Sequence, residues 1–194
     1  INQKGKIYRL VHDNRIAWHA GKSCWGKFKN LNKNSIGIEL VNKGHEFGYT
    51  NFKKKQLFSL AKLCKKLIKK YKIKKRYIVG HSDVAPIRKI DPGEKFPWNE
   101  LAKKKIGIWH ACNVVKIKKL RGIKVIKKKN KIDFFKNLKK IGYCIPVNKK
   151  SIYVKIIKAF QRHYRIKLVN GIIDKECLLI SENLIKNVKK TLDF

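Results

Sequence analysis

The amphipathic pattern between residues 50 and 71 constrains the fold more than any other segment of the chain. Apolar residues recur there at three- and four-residue spacing, and lysines fill the opposite face. Such spacing is typical of one face of an α-helix, and it is carried by Leu57, Leu60, Ala61, Cys64, Leu67, Ile68 and Tyr71. Thr50 or Asn51 has a side chain suited to cap the first turn. The sequence therefore predicts a helix beginning near residue 50.

Three short segments favour β-strands. Residues 7–11 and 76–79 are rich in β-branched and aromatic side chains, and residues 35–41 combine such side chains with a clear division into two faces. In 35–41, Ile36, Ile38 and Leu40 share one face, which leaves Glu39 on the other. The prolines within residues 81–98 predict an ordered but irregular loop.

The composition changes after Trp98. Residues 107–131 are basic and weakly periodic, and we interpret them as a linker with room for one strand. Helical spacing returns from Asp133, and Gly142 and Gly171 interrupt it where helices are expected to stop. We therefore predict a first domain over residues 1–106, a basic linker over 107–131 and a small helical domain over 132–194.

The net charge of +38 indicates acidic partners without selecting one class of them. Only seven of the 50 basic residues are arginines, the residue that sequence-reading proteins favour for its planar fork. An excess of lysine, isoleucine and asparagine is also what an AT-rich genome produces. No helix-turn-helix, zinc-finger or base-stacking signature accompanies the lysines, so nucleic acid is the least favoured partner. The apolar runs are far shorter than the ~20 residues of a membrane span.

The five cysteines give no sign of a shared structural role. They are odd in number and never two to four residues apart, so they predict neither a disulfide framework nor a zinc knuckle. Cys64 lies on the apolar stripe of the predicted helix, and Cys177 precedes two leucines. Both positions suit small core residues.

The segment from residue 81 to residue 93 holds the candidate catalytic groups. His81 follows a predicted strand and Asp91 lies in a proline-bounded turn, where their side chains could bind one zinc ion. Glu39 lies among apolar neighbours, where a carboxylate takes up a proton readily and can act as general base. Lys89 could stabilise the negative oxygen of a tetrahedral intermediate. Each of these residues also has a purely structural interpretation, as a loop histidine, a strand-edge charge, a turn starter or one lysine among many.

Four blocks between residues 17 and 98 form a joint pattern. They are Ala17-Trp18-His19-Ala20-Gly21-x-Ser23, Asn32-x-x-Ser35-Ile36-Gly37-Ile38-Glu39, Gly80-His81-x-Asp83-x-Ala85-Pro86-x-Arg88-Lys89-x-Asp91-Pro92-Gly93 and Phe96-x-Trp98. In this order they closely resemble the N-acetylmuramoyl-L-alanine amidases of the AmpD/AmiD (Amidase_2) type. The resemblance covers about residues 1–110.

The resemblance implies an α/β (α+β) amidase domain with a central mixed sheet flanked by helices. It implies hydrolysis of the amide between N-acetylmuramic acid and L-alanine, with one Zn²⁺ held by His81 and Asp91. It makes Glu39 the residue that activates water and Lys89 the group that stabilises the transition state. The substrate, peptidoglycan or its muropeptides, would be contacted by Trp18, His19, Ala20, Gly21, Asn32 and Arg88.

Three further segments carry a second resemblance, namely Leu138-x-x-Ile141-Gly142-Tyr143, Ala159-Phe160-Gln161-x-His163-Tyr164 and Gly171-x-Ile173-Asp174. They resemble a peptidoglycan-binding domain of type 1, a small three-helix bundle found in AmiD-like members. The AmiD-like layout favours a monomeric protein of the cell envelope, in the periplasm or at the outer membrane. An AmpD-like recycling role would instead be cytoplasmic. If 132–194 is merely a helical bundle, His163 would be a surface residue.

The sequence departs from the family at its first zinc ligand. The resemblance places the family's first zinc histidine upstream of the segment that matches Ile1, and His12 lies in a different, hairpin-like context. Two accounts are open: the chain belongs to a longer active enzyme, or the gene is eroding. The second account predicts a protein that binds peptidoglycan without cleaving it.

Overall fold

The computed structural model describes residues 1–146 and 150–190. These residues form one two-stranded sheet and seven α-helices. The elements are β1 (Cys24–Trp25), β2 (Phe28–Lys29), α1 (Lys54–Tyr71), α2 (His81–Val84), α3 (Trp98–Lys103), α4 (Val114–Leu120), α5 (Lys128–Ile141), α6 (Lys150–Tyr164) and α7 (Lys175–Lys190). Short 3-10 turns lie at Leu31–Lys33, His45–Phe47 and Lys75–Tyr77.

Helix α1 confirms the amphipathic prediction. Its Leu60 and Ala61 are buried against a cluster made by Phe96, Trp98, Leu101 and Ile106, which lie in and around α3. The predicted cap at Thr50 or Asn51 is wrong, because α1 begins at Lys54 and Lys53 precedes it without a side-chain cap bond. The helix ends where Lys72 adopts a left-handed conformation. Packing of the apolar face therefore stabilises this helix more than its first turn does.

The central mixed sheet is not found in the described residues, whose only sheet is the antiparallel pair of β1 and β2. Residues 7–11 form no strand, and residues 76–79 overlap the 3-10 turn at Lys75–Tyr77. Residues 35–41 exchange backbone hydrogen bonds with Ile1 alone, from the Ile1 amine to the Glu39 carbonyl (2.6 Å) and from the Val41 amide to the Ile1 carbonyl (3.0 Å). A β-favouring segment becomes a strand only where a neighbouring backbone runs beside it, and these segments lack one.

The helical second half has a dense core. Helix α5 packs against α7, and α6 lies beside α2 of the first half. Among the described residues, the fully buried apolar side chains of these helices are Phe134, Leu138, Ile141, Ile156, Ala159, Phe160, Cys177, Ile180 and Leu184. Helix α5 ends at Gly142, where the sequence predicted a stop. The predicted helical domain extends to residue 194, and its last four residues lie outside the described part.

Residues 107–131 pack into the core of the second half. Asn113 caps α4 by accepting a hydrogen bond from the Lys116 amide at 3.0 Å. Ile117 and Val125 are buried in the same cluster as α5 and α7. An isolated antiparallel bridge joins Lys124 to Asp174. This segment thus holds a helix, whereas the sequence suggested a linker with one strand.

The two halves share one continuous core, and a disulfide joins them. Cys24 in β1 is bonded to Cys144 just after α5, with their Cα atoms 6.0 Å apart. Beside it, the Trp25 and Tyr143 rings meet edge to face at 4.8 Å. Sequence analysis found no disulfide framework, and a separation of 120 residues leaves this pair no local spacing to recognise. The cross-link stabilises the fold by restricting the unfolded chain.

The described helices contain no candidate membrane span, since none combines sufficient length with sufficient hydropathy.

His110 makes the stability of the fold sensitive to acid. Burial lowers the pKa of this ring from 6.5 to about 4, although a backbone hydrogen bond with Tyr164 opposes the shift. The unfolded chain therefore binds a proton between these values that the folded chain does not. Stability is fully present above pH 6.5 and is lost as the pH falls towards 4.

We expect the free energy of unfolding, measured by urea denaturation, to fall across that interval in the wild type and to fall less in His110→Gln. His12→Gln is the control, because His12 is exposed and its ring forms a hydrogen bond with the Asn14 side chain in its own turn. An equal loss of stability in His110→Gln and the wild type would contradict the assignment.

Candidate active site

The loop from Gly80 to Gly93 positions the candidate metal ligands. His81 is the first residue of α2, and the Ser82 amide donates to the Asp91 carbonyl at 2.8 Å, which ties the two ends of the loop together. At Gly80 a Cβ atom would lie 2.8 Å from Pro92 Cδ. The close approach of the two ends therefore requires glycine at this position.

His81 and Asp91 come together as the sequence predicted. The Nδ1 atom of His81 lies 3.1 Å from Oδ2 of Asp91. Two ligands bound to zinc at about 2.0–2.1 Å in a tetrahedron would be roughly 3.3 Å apart, so this pair fits a shared ion. Among the described residues, no group of three or more His, Cys, Asp or Glu side chains is placed to hold a metal. The described chain thus supplies two of the donors that a zinc site requires.

The electrostatics of the pair favour a charged carboxylate. Partial burial raises the pKa of Asp91, but the hydrogen bond and charge of His81 outweigh it and hold this pKa below the usual value. The charge of Lys89 also lowers the pKa of Asp91. Lys89 therefore lies near enough to Asp91 to influence charge at the site.

Glu39 is exposed in the structure. This differs from the apolar surroundings that the sequence predicted for it, because residues 35–41 have no sheet neighbours to cover them. In the described chain, no hydrogen bond or ion pair joins its side chain to His81 or Asp91. Its segment passes close to His19 at Gly37, where a Cβ atom would lie 2.6 Å from the His19 ring.

A second loop, residues 17–22, lies against the loop from Gly80 to Gly93 that carries the candidate ligands (the metal-ligand loop). The second loop is organised by Asn32. The buried Oδ1 atom of Asn32 accepts hydrogen bonds from three successive amides, those of His19 (3.2 Å), Ala20 (2.7 Å) and Gly21 (3.1 Å). Arg88 donates from Nη2 to the carbonyls of Ala20 (2.8 Å) and Lys22 (3.0 Å). Asn32 and Arg88, which the resemblance assigned to substrate binding, thus bond to this loop in the structure.

The same loop presents Trp18 to solvent and fixes His19. Trp18 is 90% exposed, a large apolar surface immediately before the ordered amides. Both ring nitrogens of His19 are hydrogen bonded, Nδ1 with the Ala17 carbonyl and Nε2 with the Ser35 hydroxyl, each at 2.9 Å. His19 is therefore held as part of the loop, whereas the indole of Trp18 is free to meet a ligand.

The chain is similar to known proteins in sequence. Residues 1–94 match the family model described as N-acetylmuramoyl-L-alanine amidase (Amidase_2). The chain is 37% identical over 191 residues to N-acetylmuramoyl-L-alanine amidase AmiD of Escherichia coli, and the match covers 95% of this chain and 69% of AmiD. The chain belongs to the Amidase_2 family.

Another relative matches a shorter stretch of the chain. 1,6-Anhydro-N-acetylmuramyl-L-alanine amidase AmpD of Haemophilus influenzae is 42% identical over 99 residues, which is 50% of this chain and 52% of AmpD. The chain therefore matches about half the length of this relative. The similarity to AmiD, in contrast, continues through the helical half.

Solved Amidase_2 structures extend the similarity to the fold. The AmiD complex of E. coli with anhydro-N-acetylmuramic acid-L-Ala-D-γ-Glu-L-Lys has a TM-score of 0.83 at 34% identity and covers 94% of this chain and 73% of AmiD. AmpDh3 of Pseudomonas aeruginosa has a TM-score of 0.83 at 31% identity and covers 95% and 74% of the two chains. The fold is therefore that of these amidases, helical with a small sheet.

Sequence analysis missed three residues that contact the back of the site. Asp83 belongs to one of the four blocks of the resemblance, but sequence analysis assigned it no role. In the structure it is buried and bonded to Tyr143 and His163 of the helical half. His163 is only 1% exposed, so it is not the surface residue that the helical-bundle alternative implied. A buried carboxylate at position 83 requires donors, but nothing in the sequence shows which residues supply them.

Asn32→Ala tests the organising role of that side chain. It leaves three amides without their acceptor, which should lower the free energy of unfolding by about 1–3 kcal/mol. Hydrogen exchange at residues 19–21 should become faster, whereas Asn32→Asp retains an acceptor oxygen and should lose less. The control is Asn34→Ala, because Asn34 is exposed and its side chain makes one hydrogen bond among the described residues, to the Lys29 carbonyl. Unchanged exchange at residues 19–21 in Asn32→Ala would refute the role.

Proposed function

We propose that this protein is a zinc-dependent N-acetylmuramoyl-L-alanine amidase that hydrolyses the amide between N-acetylmuramic acid and L-alanine. The observation that carries the proposal is the 3.1 Å approach of the His81 and Asp91 side chains in a chain of the Amidase_2 family. The similarity to AmiD solved with an anhydromuramyl tripeptide supports peptidoglycan or its turnover fragments as the substrate.

His81 and Asp91 would hold the zinc ion, and a site with three protein ligands would need one further donor. Bound zinc would supply Lewis acidity towards the amide carbonyl and the attacking water. The charged form of Asp91, favoured by His81 and Lys89, suits a metal ligand. Apart from its contact with Asp91, the His81 ring makes one hydrogen-bond contact among the described residues, from Nε2 to the Ala20 carbonyl at 3.4 Å. This long contact leaves the ring available to a metal ion.

Glu39 would transfer the proton, and Lys89 would stabilise the negative charge that develops in the reaction. In our proposal the Glu39 carboxylate takes a proton from the attacking water and delivers it to the leaving nitrogen of L-alanine. The Lys89 ammonium stabilises the oxygen of the scissile carbonyl as it becomes negative. The exposure of Glu39 is compatible with this role, since a general base must reach water and substrate.

The loop of residues 17–22 would form one wall of the substrate groove. Trp18 offers an exposed indole against which a sugar ring or stem peptide can pack. His19, Ala20 and Gly21 are fixed behind it by Asn32, and Arg88 binds the loop to the metal-ligand segment. In our proposal Asn32 and Arg88 act on the substrate by shaping this wall.

We also propose that residues 132–194 bind peptidoglycan, that the protein acts as a monomer and that it functions in the cell envelope. The alignment with AmiD, which runs through this half, supports the first statement. The Cys24–Cys144 disulfide supports the last, because disulfides persist in oxidising compartments and are rare in the cytoplasm.

A non-catalytic peptidoglycan-binding protein is the second candidate. The observation that favours it is the two-donor site in the described residues, since zinc sites normally have three protein ligands. Such a protein would still sediment with peptidoglycan after chelation and would release nothing from it.

The test is release of free stem peptides from purified peptidoglycan and from anhydromuramyl peptides, using the natural protein. We expect release that chelation abolishes and zinc restores. His81→Ala and Glu39→Ala should lower the rate by about 10²-fold or more without loss of folding.

His12→Ala and Glu46→Ala serve as matched controls, because both residues are exposed and lie outside the proposed site. They should retain the wild-type rate. Binding to peptidoglycan without any release would replace the amidase proposal with the second candidate. Equal rates in wild type and His81→Ala would remove the zinc mechanism.

A further inference from the structure

Asp83 is a buried carboxylate in the metal-ligand loop, two residues after His81. It is 2% exposed and accepts three hydrogen bonds. The Gly80 amide donates to Oδ2 at 2.7 Å, the Tyr143 hydroxyl to Oδ1 at 2.6 Å and the Nδ1 atom of His163 to Oδ2 at 2.6 Å. One donor belongs to the loop itself, and two come from the helical half.

The two donors of the helical half are themselves rigid. His163 lies in α6 with its ring stacked between Trp98 and Tyr164, each at a centroid distance of 3.9 Å. Tyr143 follows α5, is 1% exposed and packs edge to face on Trp25 at 4.8 Å. Neither side chain can turn away without displacing buried rings, so both fix the position of the Asp83 carboxylate.

The position of Asp83 sets the position of both candidate ligands. Its bond to the Gly80 amide closes the first turn of α2, the turn in which His81 lies. From the same turn, the Ser82 amide donates to the Asp91 carbonyl at 2.8 Å. Tyr143 and His163 therefore bond to Asp83, and Asp83 is connected to the candidate ligands in two steps. Its carboxylate accepts from the Gly80 amide beside His81, and the Ser82 amide of the same turn donates to the Asp91 carbonyl.

We infer that Tyr143 and His163 are positioning residues for the His81–Asp91 pair, so that the helical half completes the metal-ligand loop. The inference rests on the proposed function, and it gives the helical half a role in addition to wall binding. Neither residue touches the candidate ligands. Their effect passes through Asp83, in the way that outer hydrogen-bond partners orient metal ligands in other proteins.

The test compares Tyr143→Phe and His163→Phe with a variant that destabilises the helical half elsewhere. Tyr143→Phe removes only a hydroxyl, and His163→Phe retains an aromatic ring between Trp98 and Tyr164. Gln161→Leu is the control, because Gln161 is fully buried in α6 and its side chain bonds only within residues 170–177.

Two measurements distinguish positioning from general stability. In metal-free protein, the Gly80 and Ser82 amides should exchange about tenfold faster in Tyr143→Phe and His163→Phe, because each variant removes a buried hydrogen bond from Asp83. Zinc affinity should fall by about 10- to 100-fold in both. Gln161→Leu should leave both quantities at wild-type values despite a lower melting temperature.

Wild-type exchange at Gly80 and Ser82 in Tyr143→Phe would overturn the inference. So would a loss of zinc affinity in Gln161→Leu as large as that in Tyr143→Phe, because the effect would then follow general destabilisation. If His163→Phe does not fold, Tyr143→Phe decides alone. Both measurements are independent of amide cleavage, so a protein that shows the predicted exchange but releases no stem peptide would retain the inference and lose the amidase proposal.

Discussion

A carboxylate removed from water must receive hydrogen bonds from its surroundings, and the arrangement of this molecule depends on how Asp83 receives them. Burial of an unpaired charge costs several kcal/mol, so the donors of Asp83 must remain in place whenever the protein is folded. Two of those donors, Tyr143 and His163, lie 60 and 80 residues further along the chain. The contact therefore holds the first half, the helical half and the candidate ligand loop in one arrangement.

Other contacts at the same boundary act together with this one. The Cys24–Cys144 bond, the Trp25–Tyr143 ring contact and the stack of Trp98 on His163 each join the two halves. A shared apolar core continues beneath them. A binding module attached only by a flexible linker would need none of these contacts. The helical half is thus part of the framework that supports the site.

Among the described residues, three acidic side chains are buried. Asp83, Asp174 and Glu176 are buried, and each is paired with a basic side chain, namely His163, Arg165 and Arg121. Asp91 faces His81 at the candidate site. In a chain of net charge +38, the surrounding lysine surface would also attract an anionic polymer to that site.

Local patterns in the sequence predicted local structure well, whereas contacts between distant segments could not be predicted. Helix α1 followed from its apolar spacing, and the proximity of His81 and Asp91 followed from a short loop with proline at its end. The strand predictions were wrong because β-favouring residues such as Ile36 and Ile38 do not show whether another backbone runs beside them. The disulfide, the acceptor role of Asn32 and the donors of Asp83 depend on tertiary packing, which leaves no spacing rule in the chain.

Anomalous diffraction at the zinc edge, from crystals of the natural protein grown with zinc, tests most directly whether His81 and Asp91 share one ion. A single peak within bonding distance of the His81 imidazole and the Asp91 carboxylate is the expected result. A zinc ion bound elsewhere, with no peak beside this pair at saturating zinc, would contradict the proposed metal site.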